Sequence, residues 1–266
     1  MQIHFIIHEL FEAPGAFETW AANRGHSVSY SRVYAQGALP VSISGIDLLV
    51  VMGGPQSPST TTAECPHFDA EAENNLITRA IAAGKAVVGV CLGAQLIGEA
   101  LGAACEHSPH KEIGTFPITL THEGLGNDKF AHFGRSLDAG HWHSDMPGLT
   151  PGATLIAYSE GCPRQIVEYS KLVYGFQCHM EFNRDVVELL IAHTEQELAK
   201  LSGHKYVRRP DDLRESDYSQ MNEALFAFLD KLSYEYEIST ANDSYTDAVA
   251  RARGGVSIPT RPHIGS

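Results

Sequence analysis

The sequence predicts an α/β fold in three layers: a mostly parallel central sheet with helices on both faces, plus a small antiparallel extension. Three observations predict it. Apolar runs at 2–7, 27–34, 46–52 and 86–90 alternate with helical patterns up to about residue 101. Two of those runs end in glycine turns, Met52-Gly53-Gly54-Pro55 and Gly89-Val90-Cys91-Leu92-Gly93. From 113 to 176 the helical pattern gives way to short β segments.

Each element follows in order. A strand over 2–7 leads to a helix around 16–24, then to strands near 27–34 and 46–52. A long helix is expected near 66–83, where Phe68, Ala72, Leu76, Ala80 and Ala83 recur at roughly helical spacing. The strand at 86–90 runs into a helix over 94–101 that breaks at Gly102. Short β segments at 113–121, 154–159, 165–169 and 172–176 form the antiparallel extension, and a helix near 183–200 closes the main unit. After a polar break at Ser202-Gly203-His204 and Arg208-Arg209-Pro210, Tyr218, Met221, Leu225, Phe228, Leu229 and Leu232 mark a helix over 216–233. Such a stripe packs on its own domain, or alternatively on a second copy or a partner groove. The expected division is a main domain over 1–200, a helical extension over 201–236 packed on it, and a flexible tail over 237–266 containing Gly254-Gly255, Pro259 and Pro262.

Composition narrows the function classes. The 266 residues suit one large α/β domain with an appendage. Nineteen Lys and Arg against 32 Asp and Glu give a net charge of −13, which argues against a binder of the nucleic-acid backbone. No apolar run is long enough to span a bilayer, and the first residues lack the basic leader of a signal peptide. Cys65, Cys91, Cys105, Cys162 and Cys178 are an odd, widely spaced set, as in a chain of the reducing cytoplasm. No Cys-x-x-Cys pair or His/Cys spacing points to a metal. His107, His110, His141 and His143 read as loop residues without a matching carboxylate, so no metal and no cofactor are expected.

Three segments carry chemistry. Gly89-Val90-Cys91-Leu92-Gly93 has the pattern of a nucleophile elbow, a sharp strand-to-helix turn with the nucleophile between two glycines. The following helix N-terminus favours a thiolate and a developing oxyanion. His179-Met180-Glu181 places a histidine and a carboxylate two residues apart, so that both side chains share a face of an extended chain. A thiol nucleophile requires such a pair: the imidazole moves the proton and the carboxylate orients it. By the same alternation, Cys178 faces away. Gly53-Gly54-Pro55 is a turn able to expose backbone N–H groups. One oxyanion donor is assigned to Gly53–Gly54 and the other to Leu92.

Taken in order, Met52-Gly53-Gly54-Pro55, Gly89-Val90-Cys91-Leu92-Gly93-Ala94-Gln95 and His179-Met180-Glu181 resemble the class I, triad-type glutamine amidotransferases, whose fold is flavodoxin-like. The likeness spans roughly residues 1–200 and is greatest to stand-alone members similar to the amidotransferase domain of GMP synthase. The opening His8-Glu9-Leu10-Phe11-Glu12-Ala13-Pro14-Gly15 and Trp20 through Arg24-Gly25-His26 also fit that subgroup. The resemblance implies Cys91 as nucleophile, His179 as base and Glu181 as its orienting partner. It also implies that Gln95 and the loop His141-Trp142-His143-Ser144-Asp145 hold the amino and carboxylate groups of glutamine. Thr115 and Gln56 depart from the family pattern, which often has an aromatic and Met there; this bears on the acceptor or partner.

The reaction implied is attack of Cys91 on the glutamine side-chain amide, release of ammonia, and hydrolysis of a γ-glutamyl thioester. No Ser-Gly-Gly-x-Asp-Ser loop or Walker motif for ATP occurs, so a separate synthetase subunit is the implied consumer of ammonia. The alternatives are hydrolysis of γ-glutamyl peptides or conjugates by the same triad and, third, a regulatory module without catalysis. The small-molecule substrate, the acceptor and any homo-oligomer stay open.

Overall fold

A computed structural model describes residues 1–201 and 203–254, without the side chains of 243–254. Ser202 and the last part of the tail, 255–266, with Gly255, Pro259 and Pro262, lie outside the described residues. The strands are β1 Gln2–Ile7, β2 Ser27–Arg32, β3 Leu48–Val51, β4 Ala86–Val90, β5 Glu106–Leu120, β6 Ser136–Met146, β7 Thr154–Tyr158, β8 Ile166–Ser170 and β9 Val173–Phe176. The helices are α1 Ala16–Asn23, α2 Ala70–Ala82, α3 Leu92–Ala100, α4 His122–Gly126, α5 Arg184–Lys200, α6 Pro210–Glu215 and α7 Ser219–Gly254.

The strands form one sheet in the order β2-β1-β3-β4-β9-β8-β7-β5-β6. The first five run parallel. The remaining four pair antiparallel, so the extension continues the same sheet. Side-chain alternation makes the three layers. Phe5, Val50 and Val88 share a core with Trp20 of α1, Leu190 of α5 and Phe228 of α7. Their neighbours Ile6, Leu49, Val51 and Val87 share the other core, with Leu76, Ile77 and Ala80 of α2 and Leu96 and Ile97 of α3.

Several boundaries differ from the sequence expectation for local reasons. The second helix starts at Ala70, four residues late, because the Asp69 side chain accepts from the Ala72 N–H at 3.0 Å and caps it there. Its buried face is Glu73, Leu76, Ile77 and Ala80, whereas Ala83 is exposed. The segment 141–145, expected as a loop, lies in β6, whose partner is β5 in the register Ile113↔Trp142 and Gly114↔His141. Glycine, alanine and histidine at its inward positions hide the strand pattern. His107 and His110 likewise lie in β5, which starts at Glu106.

The last helix runs on to Gly254, through much of the segment expected as a tail. Phe228 packs on Phe130, Tyr174 and Phe176 with ring centroids 5.0–5.2 Å apart. The Trp20 indole N–H donates to Asp230 at 2.8 Å, and the Tyr236 hydroxyl donates to Asp47 at 3.0 Å. The apolar stripe of α7 therefore covers this chain's own sheet.

Candidate active site

Cys91 stands between β4 and α3 with φ 50° and ψ −108°, one of only two non-glycine residues with positive φ among those described. Such a conformation costs of order 1–3 kcal/mol and persists where the surroundings impose it. Here the Cys91 N–H donates to the Phe176 carbonyl at 2.7 Å. The flanking glycines are needed for close packing and not for their own backbone angles. A Cβ on Gly89 would lie 2.3 Å from the Gly93 carbonyl oxygen, and one on Gly93 would lie 2.0 Å from that of Val51. The strain of the turn thus falls on the cysteine itself. Its thiol opens into a cavity of about 190 Å³ at the C-terminal edge of the parallel strands.

His179 and Glu181 lie just beyond β9. The His179 Nδ1–H donates to Glu181 Oε1 at 2.7 Å, and both side chains are buried. A paired backbone bridge to Gly140 holds the segment, with His179 N–H to Gly140 O at 2.7 Å and Gly140 N–H to His179 O at 3.1 Å. Gly140 must be glycine, since a Cβ would meet the Phe182 ring at 2.4 Å. That ring stacks on His179 with centroids 4.4 Å apart. Burial works to lower the His179 pKa, but the Glu181 carboxylate and the Cys91 thiol outweigh it, and the ring is held well above the ordinary histidine value. Nε2 makes no hydrogen bond and is the ring nitrogen left for a proton. Cys178 is buried with its thiol toward the Gln165 carbonyl.

The opening loop fastens this pair. The Ala16 N–H donates to the Glu181 carbonyl at 2.9 Å, and Gly15 approaches so closely that a Cβ would lie 2.3 Å from that oxygen. The same loop carries Glu12, a buried carboxyl whose pKa is raised by burial against the pull of His179.

Gly53 and Gly54 follow β3. A Cβ on Gly53 would lie 2.4 Å from Glu12 Oε2 and 3.4 Å from His179 Cε1, so the turn abuts the histidine. His8 fixes it from behind. Its Nδ1 is 2.9 Å from the Gly53 carbonyl oxygen and its Nε2 is 2.9 Å from Glu73 Oε2. The Gly53 carbonyl only accepts, so Nδ1 donates to it, and beside an ionised Glu73 the second nitrogen donates as well, which favours the imidazolium. Burial opposes this charge, yet the Glu73 carboxylate and the Gly53 carbonyl prevail and raise the His8 pKa. In a trans peptide the carbonyl and the next N–H point in opposite directions. Holding the Gly53 carbonyl toward His8 therefore turns the Gly54 N–H away from it. Among the described residues, neither that N–H nor the Leu92 N–H donates a backbone hydrogen bond.

Gln95, Trp142, His143, Ser144 and Asp145 all line the Cys91 cavity with Gly54. Gln95 Nε2 donates to Gln177 Oε1 at 3.1 Å, and the Cys91 thiol lies 3.8 Å from the Trp142 carbonyl. Contrary to the sequence expectation, His141 and His143 do face a carboxylate. Glu112 Oε2 lies 3.6 Å from His141 Nδ1 and 3.4 Å from His143 Nε2, all three side chains buried. The carboxylate comes from the neighbouring strand in the register Glu112↔His143, which spacing along one strand cannot show. Ser159 and Gln165 also donate to it, at 2.8 and 2.6 Å. Burial would raise the Glu112 pKa, but His143, His141 and Ser159 hold it low; burial pushes that of His141 down to about 3. The carboxylate is occupied by these donors and orients His143 at the cavity wall.

Sequence reasoning missed His8, Glu12, Glu73, Glu112 and the helical wall from α5. Glu73 carried a signal: an acidic residue three and four positions before Leu76 and Ile77 lies on the core-facing side of the helix. Leu190, Thr194 and Glu197 of α5 line the cavity, where the helix kinks at Thr194 (φ −115°, ψ 17°). The Thr194 hydroxyl there donates to the Leu190 carbonyl at 2.7 Å. Lys111 and Glu197 pair across the mouth.

The geometry thus sets a strained cysteine at the end of β4 and a buried histidine–carboxylate pair at the end of β9. Comparison with known proteins supplies the family. The model of "Glutamine amidotransferase class-I" matches residues 19–188, and the chain belongs to this family. It is 57% identical over 233 residues to the glutamine amidotransferase-like protein YfeJ of Salmonella typhimurium, covering 88% of this chain and 98% of that one. The crystal structure of SMU.1228c superposes with a TM-score of 0.86 at 50% identity, over 88% of this chain and all of the other. One of the subunits of the glutamine-hydrolysing GMP synthase of Methanocaldococcus jannaschii is 29% identical over 146 residues, covering 52% of this chain and 71% of that one. Among the described residues no helix is long and apolar enough to cross a membrane.

Proposed function

We propose that the chain hydrolyses the side-chain amide of glutamine through a γ-glutamyl thioester on Cys91 and releases ammonia. The observation that carries the reading is the buried His179–Glu181 contact of 2.7 Å, which leaves Nε2 as the free nitrogen beside the strained Cys91. In this reading Nε2 takes the thiol proton and Sγ bonds to the amide carbon. The resulting oxyanion is held by the Gly54 and Leu92 N–H groups, with Gly53 supplying the carbonyl that His8 pins. The C–N bond then breaks as His179 returns the proton, so nitrogen leaves as ammonia. Water attacks the thioester, gives its proton to Nε2, and glutamate and the free thiol result. Gln95, Trp142, His143, Ser144 and Asp145 are assigned to the amino and carboxylate groups of the substrate, since they line the cavity into which Cys91 opens.

A separate synthetase is assigned as consumer of the ammonia. The likeness to one part of a GMP synthase, a glutamine-hydrolysing enzyme by name, supports it. All five cysteines are free, which suits the cytoplasm. The test is ammonia release by the purified chain with glutamine or a γ-glutamyl dipeptide. Cys91→Ala abolishes release while the fold persists; an unchanged rate in that variant rules the mechanism out. Faster turnover of the dipeptide would transfer the same triad chemistry to a γ-glutamyl hydrolase.

A further inference from the structure

Besides the buried Glu112 group, the described residues hold one other set of three side chains whose ligand atoms lie within 4.8 Å of one another: Glu9, Cys65 and His67. They are half-buried and come from the loop after β1 and the segment entering α2. Gln56, from the loop after β3, joins them. His67 Nε2 is 2.9 Å from Glu9 Oε1 and 3.4 Å from Cys65 Sγ. Gln56 Nε2 is 2.7 Å from Glu9 Oε1, 3.4 Å from Cys65 Sγ and 3.4 Å from His67 Nε2. The other amide atom, Gln56 Oε1, is buried with no partner among the described residues.

This arrangement is not a second proton relay. A relay needs the thiol and the carboxylate at opposite ring nitrogens, as the His179 ring provides, whereas Glu9 meets Nε2 at 2.9 Å and the Cys65 sulfur lies 3.4 Å from Nε2 and 3.7 Å from Nδ1. Convergence of one oxygen, one sulfur and one nitrogen on a single point is instead the pattern of metal ligation. Amide oxygen and nitrogen are interchangeable by a half-turn of the side chain, and the turn is assigned from its partners. Turning Gln56 brings its orphaned oxygen to the point where the other three meet and completes four donors. Bond lengths of about 2.0–2.3 Å to zinc imply ligand–ligand edges of about 3.3–3.7 Å in a tetrahedron. The contacts run from 2.7 to 3.4 Å, so the shortest must open by about 0.6 Å to reach those edges. A thiolate and a carboxylate balance the charge of a divalent ion, and none of the cluster's hydrogen bonds comes from Lys or Arg.

We propose that Glu9, Cys65, His67 and Gln56 form a site for a thiophilic divalent cation such as zinc, joined to the Cys91 cavity through Gln56. Its position has a consequence for the neighbouring turn. Gln56 follows Pro55 and lines the cavity, and its Oε1 lies 2.5 Å from where a Cβ on Gly54 would be. Recruiting that oxygen to an ion withdraws it from Gly54.

Cobalt titration of the chelator-treated full chain tests the site, because a thiolate ligand gives cobalt an intense charge-transfer band that His and carboxylate ligands do not. One equivalent of Co²⁺ should produce the band and Zn²⁺ should abolish it. The band should persist in Cys91→Ser and vanish in Cys65→Ser and in His67→Ala, with circular dichroism reporting the fold. Should either variant fail to fold, zinc protection of Cys65 from alkylation in the unaltered chain, located by mass spectrometry, replaces that arm. Absence of stoichiometric binding, survival of the band in Cys65→Ser, its loss in Cys91→Ser, or unprotected Cys65 each overturns the site.

Discussion

Buried histidine–carboxylate clusters stand on both halves of the sheet, two on the parallel half and one on the antiparallel half, and they hold their protons in opposite ways. On the parallel half, His179 has Glu181 to itself and His8 has the Glu73 side chain to itself, and both rings are driven toward the charged form. On the antiparallel half, Glu112 accepts from Ser159 and Gln165 and lies 3.4 and 3.6 Å from the His143 and His141 rings, and burial wins at His141, whose pKa falls to about 3. Residue types and burial are the same. What differs is contact: Glu181 and Glu73 sit at 2.7 and 2.9 Å from their rings, whereas Glu112 lies 3.4–3.6 Å from its two and takes other donors. An undivided charge offsets the desolvation of an imidazolium, and a divided one leaves the ring neutral.

The comparison breaks most visibly at Glu181. Glu181→Gln keeps the shape and an acceptor for Nδ1–H but removes the charge, so it makes the undivided cluster resemble the shared one. The His179 pKa should fall and glutamine hydrolysis should drop by roughly 10²–10⁴-fold, the usual worth of general acid–base action. Steady-state ammonia release against pH checks it. An unchanged rate and profile would show that the carboxylate's charge does not matter.

Next in size is Glu73→Gln. It leaves His8 buried without its anion, and breaking a buried pair costs about 3–5 kcal/mol. The sign with pH follows from the raised pKa of His8. The stabilisation is fully present below the unfolded value of about 6.5 and is lost as pH rises through the higher folded value. Denaturant unfolding at several pH values should show that decline in the parent chain and its absence in Glu73→Gln. Equal stability of the two at pH 6 would count against His8 being an imidazolium.

The same contrast explains what can be read from the sequence. The parallel half is legible because its signals are local: buried runs such as Leu48–Val51, the Gly89–Gly93 elbow, and His179 two residues from Glu181. Such patterns suffice to pair the cysteine with its histidine, whereas Gln95 and Trp142 are singled out only by the family resemblance. The antiparallel half is poorly legible because its chemistry is made across strands. Glu112 meets His143 only through the β5–β6 register, and the 141–145 part of β6 reads as a loop. His8 and Glu73 show the same limit within the parallel half, since they come from a loop and a helix 65 positions apart. The Cys65-x-His67 pair needs Glu9 and Gln56 from two further loops before it resembles a ligand set.

The smallest test lies in the shared cluster. Ser159→Ala removes one of the donors to Glu112, and the loss of a hydrogen bond to a buried carboxylate costs about 1–3 kcal/mol. With fewer donors the charge is less divided, so His141 should regain part of its basicity and its pKa should rise from about 3. A neutral buried histidine stabilises above the unfolded value of about 6.5, and that contribution is lost as pH falls toward the depressed folded one. The window is thus acidic, opposite to that of His8, and in Ser159→Ala the acid loss should be shallower even though the variant is weaker at neutral pH. Because His143 borders the cavity, KM for glutamine should rise while kcat holds, the mark of an interaction made equally in ground and transition states. A fall in kcat with KM unchanged would instead place Glu112 in the chemistry. A histidine titration by NMR with no movement in His141 would show that burial alone, and not the sharing of one carboxylate, keeps the ring neutral.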